Sequence, residues 1–173
     1  MSYDLKILVL NQSEPCKIPF NAKFELLNEI DHNEYIARYH TIWPYMTQSR
    51  GIWYTIVRDK EKLWHGALHI CDSDFEIEEK KIKIPYWVKD NDDKSNLTPL
   101  IINEEYSFDF IKTIEYLINQ SPNKTILFLA RYQGGEEEKE IICGILAINE
   151  FMELLNKKEI LFNICYIIRG NID

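Results

Sequence analysis

Apolar residues along this chain fall into short runs separated by polar breaks, and the spacing within each run predicts an element. Leu5 to Leu10 (LKILVL) is a compact apolar run closed by Asn11, Gln12, Ser13 and Pro15, the boundary composition of a strand. From Asn21 the period lengthens. Phe24, Leu27 and Ile30, then Tyr35, Tyr39, Ile42 and Met46, recur at helical spacing. This predicts helix broken at Asp31 to Asn33, with Asn33 as an N-cap and Pro44 ending or kinking the second piece. Ile52 to Val57 (IWYTIV) is β-branched and aromatic, hence strand. Asp59 to Lys62 reads as a polar turn and Leu63 to Ile70 as the other arm of a hairpin.

Phe75, Ile77, Ile82 and Ile84 alternate with charged residues, the pattern of an exposed or edge strand with a break near Glu79. The stretch 90–99 (DNDDKSNLTP) is the most polar in the chain and predicts a long loop between two halves. Ser107 is the expected cap of an amphipathic helix whose apolar face is Phe110, Ile111, Ile114, Leu117 and Ile118, stopped at Ser121-Pro122-Asn123. Strands follow at Ile126 to Tyr132 and Ile141 to Ile148, joined by a turn at Gly134-Gly135. Asn149 then opens a short helix to Leu155, and Ile160 to Ile168 is the last strand. This order lacks the regular strand–helix alternation of a doubly wound parallel sheet. The fold class it predicts is α+β: one domain over 1–173, with a mixed or mainly antiparallel sheet and helices largely on one face.

Composition narrows the function. An apolar fraction of 46% over 173 residues excludes a disordered chain and suffices for a core without metals or disulfides. The net charge of −8 argues against non-specific nucleic-acid binding, whose affinity comes from Lys and Arg on phosphates. Acidic residues cluster at Asp72 to Glu79, at Asp90, Asp92 and Asp93, and at Glu136 to Glu140. Such runs are ordinarily solvated loops; gathered on one face they would steer a basic partner. Cys16, Cys71, Cys143 and Cys165 form no CxxC pair, and Cys143 and Cys165 sit in apolar runs like small buried hydrophobes. The N-terminus has no secretory pattern and no segment reaches 18 continuous apolar residues, so the expectation is a cytosolic protein with thiols and no membrane span.

Motifs for phosphate loops, nucleophile elbows and zinc helices are missing from the sequence, and Gly134-Gly135 lies beside an acidic run that would repel phosphate. His65 and His69 are the one metal-like pair, with Cys71, Asp72 and Asp74 nearby. On a helix they would share a face; on a strand they lie about 13 Å apart at roughly 3.3 Å per residue, too far for one ion. The β-rich surroundings favour the strand, so no metal, cofactor or catalytic set is expected. A metal- or histidine-dependent hydrolase through tertiary pairing of His32, His40, His65 and His69 is the remaining catalytic reading.

The segment from Thr125 to Gly170, with an apolar strand ending Leu129-Ala130-Arg131-Tyr132, an acidic turn, a short helix and a final apolar strand, resembles the ending of many small bacterial immunity proteins. These are the antidotes encoded beside toxins of contact-dependent growth inhibition and related polymorphic toxin systems. The resemblance covers about a quarter of the chain and carries over no functional residue. It implies a cytoplasmic, non-catalytic protein that binds and blocks a cognate nuclease-type toxin domain with a basic surface. Trp43, Tyr45, Trp53, Tyr54, Tyr86 and Trp87 are the candidate aromatic anchors, with Trp53 better read as core. Tyr86 and Trp87 lead because they follow Pro85 and precede the acidic residues Asp90, Asp92 and Asp93. The competing class is a small ligand-binding or assembly domain.

Overall fold

Eight consecutive strand residues, Tyr3–Leu10, form β1, and nearly all of their side chains are buried. Side chains alternate across a strand, so burial at every position means that both sheet faces are covered, which is why the sequence reads as a continuous run. The computed structural model describes residues 3–28, 46, 49–57, 83–89, 97–132 and 142–171. Among these, β1 is joined by β2 (Glu25–Asn28), β3 (Gly51–Val57), β4 (Thr125–Tyr132), β5 (Ile142–Ala147) and β6 (Cys165–Arg169). They make one six-stranded sheet in the order β2-β3-β1-β4-β6-β5. Only β5 and β6 run parallel; every other neighbouring pair is antiparallel. Strands from before and after the 90–99 stretch thus share one sheet.

The two described helices, α1 (Glu104–Gln120) and α2 (Ile148–Asn156), belong to the same side. Their buried residues, Phe110, Ile114, Phe151 and Leu155 among them, join Leu5, Ile7, Tyr54 and Phe128 in the main core. The opposite face holds a smaller cluster of Leu8, Met46, Trp53, Leu127, Leu129 and Cys165. The chain is therefore α+β with a mixed, mostly antiparallel sheet, as its pattern predicts.

Several local expectations give way to the tertiary context. Phe24 and Leu27 are buried, but Leu27 sits in β2 opposite Thr55, so helical spacing here hides a strand recruited by the edge of β3. The α1 cap position is Asn103, and Ser107 lies inside the helix, where its amide N–H donates to the Asn103 carbonyl. Glu104 and Glu105 extend the first turn because carboxylates there meet the positive end of the helix dipole. Asn149 likewise falls within α2; the Glu150 carboxylate accepts instead from the Ala147 amide at 2.8 Å. The last strand begins at Cys165, not Ile160. Residues 160–163 bond back to the 98–100 segment through Leu100 N–H to Ile160 O and Phe162 N–H to Thr98 O. Asn163 then turns the chain at a φ of 62°, a conformation asparagine tolerates. Of the expected 75–84 strand only Lys83 and Ile84 are described, and they are irregular. The helices expected over 29–45, the hairpin arm 63–70 and the 134–135 turn lie outside the described residues.

Candidate functional site

Residues 83–89 form an irregular segment that lies against α2, β5 and β6. Val88 N–H donates to Pro85 O at 3.1 Å, closing a tight turn with Tyr86 and Trp87 at its centre. The turn divides the two aromatics. Tyr86 projects outward and is 98% exposed, whereas Trp87 is half-buried and Val88 fully buried. Trp87 meets the Tyr166 ring edge-on, with centroids 6.1 Å apart. Tyr166 contacts Phe151, Phe151 contacts Phe128 and Phe128 contacts Phe110, all edge-to-face. This aromatic series runs from the turn through the core to α1, and such pairs add about 0.5–1.5 kcal/mol each beyond their buried area. At the other end of the segment, Lys83 Nζ donates to both carboxylate oxygens of Glu159, at 3.0 and 3.1 Å.

Between this segment and the sheet lies a groove of about 470 Å³. It is lined by Ile84, Tyr86 and Trp87, by Gly144 and Leu146 of β5, and by Glu150, Leu154, Glu159 and Tyr166. Ile145 also borders it, but in register with Ile167 its side chain turns to the opposite sheet face. Ile145 is 54% exposed, high for an isoleucine within a strand. Among the described residues β5 is the end strand of the sheet, which explains why one face of an otherwise apolar run is left to solvent. Apolar surface, a protruding Tyr and convergent polar groups are what a protein contact uses.

The sequence-predicted site is thus partly assembled. Tyr86 and Trp87 do line one surface feature, with unequal exposure; Asp90, Asp92 and Asp93 lie outside the described residues, as do Trp43, Tyr45, His65 and His69. Tyr54 is a correction: it is buried in the main core, as Trp53 is in the second cluster, so neither is a surface anchor. The structure adds Ile84, Leu146, Glu150 and Glu159. Only Ile84 carried a sequence signal, its alternation with charged neighbours; the others are distant in sequence and meet through the parallel pairing of β5 with β6.

A second polar feature lies on the opposite sheet face. Asp4 and Lys6 alternate with apolar residues on β1, and in register Lys6 faces Thr55 while Asp4 faces Arg131. All four are buried. Lys6 Nζ donates to Thr55 Oγ1 at 3.0 Å, with Asp4 Oδ2 at 4.0 Å. Burial holds the Lys6 ammonium below its ordinary pKa; Asp4 counteracts this and Arg131 reinforces it. With Lys6 this enclosed, the arrangement reads as a cross-strand polar network that sets strand register. Among the described residues no group of three His, Cys, Asp or Glu is placed to hold a metal, and no helix is long and apolar enough to cross a membrane.

These features define an α+β protein with a solvent-facing groove at one end of its sheet. Comparison of the chain with protein-family models, with curated proteins and with solved structures returned no match.

Proposed function

We propose that this chain is a non-catalytic protein-binding domain that docks a partner with a basic surface on the Tyr86 groove, and that the partner is a cognate nuclease-type toxin which it blocks as an immunity protein. The observation that carries the reading is Tyr86: a large side chain 98% exposed that lines a 470 Å³ groove together with exposed Ile84 and two acidic residues. An aromatic costs little conformational entropy to immobilise and supplies much contact area, so such a residue serves as an anchor when a partner covers it. The toxin assignment rests on the acidic chain, net charge −8, and on the resemblance of its C-terminal part to immunity proteins. A groove of this volume also falls in the range of small-ligand sites, which is the second reading. Tyr86 favours the protein, because a small ligand would leave most of that ring in water.

The test is co-expression with the product of the adjacent gene, followed by binding kinetics of Tyr86→Ala. Loss of the anchor should accelerate dissociation by an amount worth about 2 kcal/mol, with little change in association rate. A partner that binds the variant with unaltered kinetics would place the interface elsewhere. Turnover of a small substrate with no protein partner would overturn the function itself.

A further inference from the structure

Glu159 and Lys83 form an unequal pair. The Glu159 side chain is 21% exposed and the Lys83 side chain 72% exposed. The Glu159 side chain is therefore the more enclosed of the two, while the lysine that neutralises it stands largely in solvent on a flexible stem. An exposed ion pair of this kind is worth about 0–1 kcal/mol, so a better-shaped cation can displace the lysine at little cost. Glu150 lines the same groove, its carboxylate held by the Ala147 amide, and the two acids outnumber the one lysine among the described lining residues. Beside them stand Tyr86 and Trp87 and the aliphatic residues Ile84 and Leu154.

We infer that the groove receives an arginine side chain of the protein partner, its guanidinium taking the place of Lys83 on Glu159 and its neighbouring apolar residue resting on Ile84 and Leu154. This rests on the protein-binding reading and specifies the chemistry at its centre. A guanidinium is planar and offers paired N–H donors that match both oxygens of a carboxylate, which one ammonium cannot do as well. Its face also stacks on aromatic rings, and Tyr86 presents one almost wholly free of other contacts. An acidic segment would be repelled, and a purely apolar one would leave the second carboxylate, Glu150, facing it without a countercharge.

The probe is the blocked pentapeptide Ala-Leu-Arg-Leu-Ala, titrated at millimolar concentration into the isotope-labelled full chain and followed by nuclear magnetic resonance. Saturable shifts are expected at the Leu154 methyl groups, the Gly144 amide and the Trp87 indole. The same peptide with neutral citrulline for arginine should bind at least about tenfold more weakly, and Glu159→Gln should remove most of that difference. Gly144→Trp, where the added Cβ meets nothing within 4 Å, should weaken the shifts by obstructing the groove with an unchanged melting temperature. Equal binding of both peptides, shifts confined to another surface, or no saturable shift would overturn the inference. So would free L-arginine binding as tightly as the peptide, which would make the groove a small-molecule site. A protein partner that depends on Tyr86 but is indifferent to Glu159→Gln defeats the arginine and leaves the protein-binding reading standing. An arginine-selective groove in a chain whose partner ignores Tyr86→Ala means the reverse.

Discussion

Tyr54 illustrates how far a single residue departs from what its type suggests. Its hydroxyl accepts from the Cys16 amide at 2.8 Å and donates to Gln12 Oε1 at 2.9 Å, with Cys16 Sγ at 3.4 Å as the other acceptor within reach. It thus ties the 12–16 segment to β3. Burial, with the Cys16 side chain next, pushes the phenol above its usual pKa of 10.0. A raised folded pKa favours the neutral form in the native state, so the contribution to stability is complete below pH 10 and falls as pH rises beyond it. Urea unfolding should show wild-type stability dropping above pH 10 and Tyr54→Phe dropping less. At neutral pH that variant should lose about 1–2 kcal/mol, since the Cys16 amide is left without its acceptor. Tyr86 behaves oppositely. Tyr86→Ala should stay within about 0.5 kcal/mol of wild type in the same assay, whereas Trp87→Ala, which strips an edge contact from Tyr166, should cost about 1–2 kcal/mol. A binding defect in Trp87→Ala is therefore mixed with lost packing, and Tyr86 is the cleaner probe. From the sequence the two aromatics were equivalent neighbours; the Pro85–Val88 turn is what separates their roles.

Among the elements, α1 was the most legible and β2 the least. The face of α1 follows from spacing alone, because Phe110, Ile114, Leu117 and Ile118 must share one side of any helix through them, and all four are buried. β2 has four residues, too few for a period to distinguish helix from strand, so hydrogen bonds from β3 decide it. Two glycines show the same contrast between local and tertiary causes. Gly51 begins β3 at a φ of 149°, and a Cβ there would lie 2.1 Å from the Val9 carbonyl oxygen, closer than any contact can be. Gly51→Ala should cost at least about 2 kcal/mol by forcing β1 and β3 apart. Gly144 lies in open space, and Gly144→Ala should fall within about 0.5 kcal/mol of wild type. Thermal or urea unfolding of the pair checks both; equal losses would refute the assigned β1–β3 approach.

For the molecule as a whole, charge acts over distance and packing does not. A net charge of −8 favours encounter with a basic partner, and the effect fades beyond a Debye length, about 10 Å at 0.1 M salt. Replacing Asp90, Asp92 and Asp93 with Asn should slow association and flatten its salt dependence while leaving dissociation nearly unchanged. Stopped-flow kinetics at two ionic strengths measure this directly. An unaltered association rate would remove these residues from the proposed face.

The sequence by itself determined the α+β class, the strands β1, β3 and β4, the apolar face of α1 and the acidic balance. Each follows from period, residue type or a sum over side chains, properties that need no knowledge of distant neighbours. Only the tertiary structure decided which apolar residues stay in water, because exposure depends on what lies opposite. Ile145 belongs to a run as apolar as that of β1, yet β1 lies between β3 and β4 while β5 has β6 alone as its neighbour among the described strands. The same holds for charge: Lys83 and Glu159 are 76 residues apart, and nothing local in either marks the pair. Their meeting at the groove follows from where α2 ends and where the 83–89 segment crosses it, a long-range arrangement to which a short window of sequence is blind.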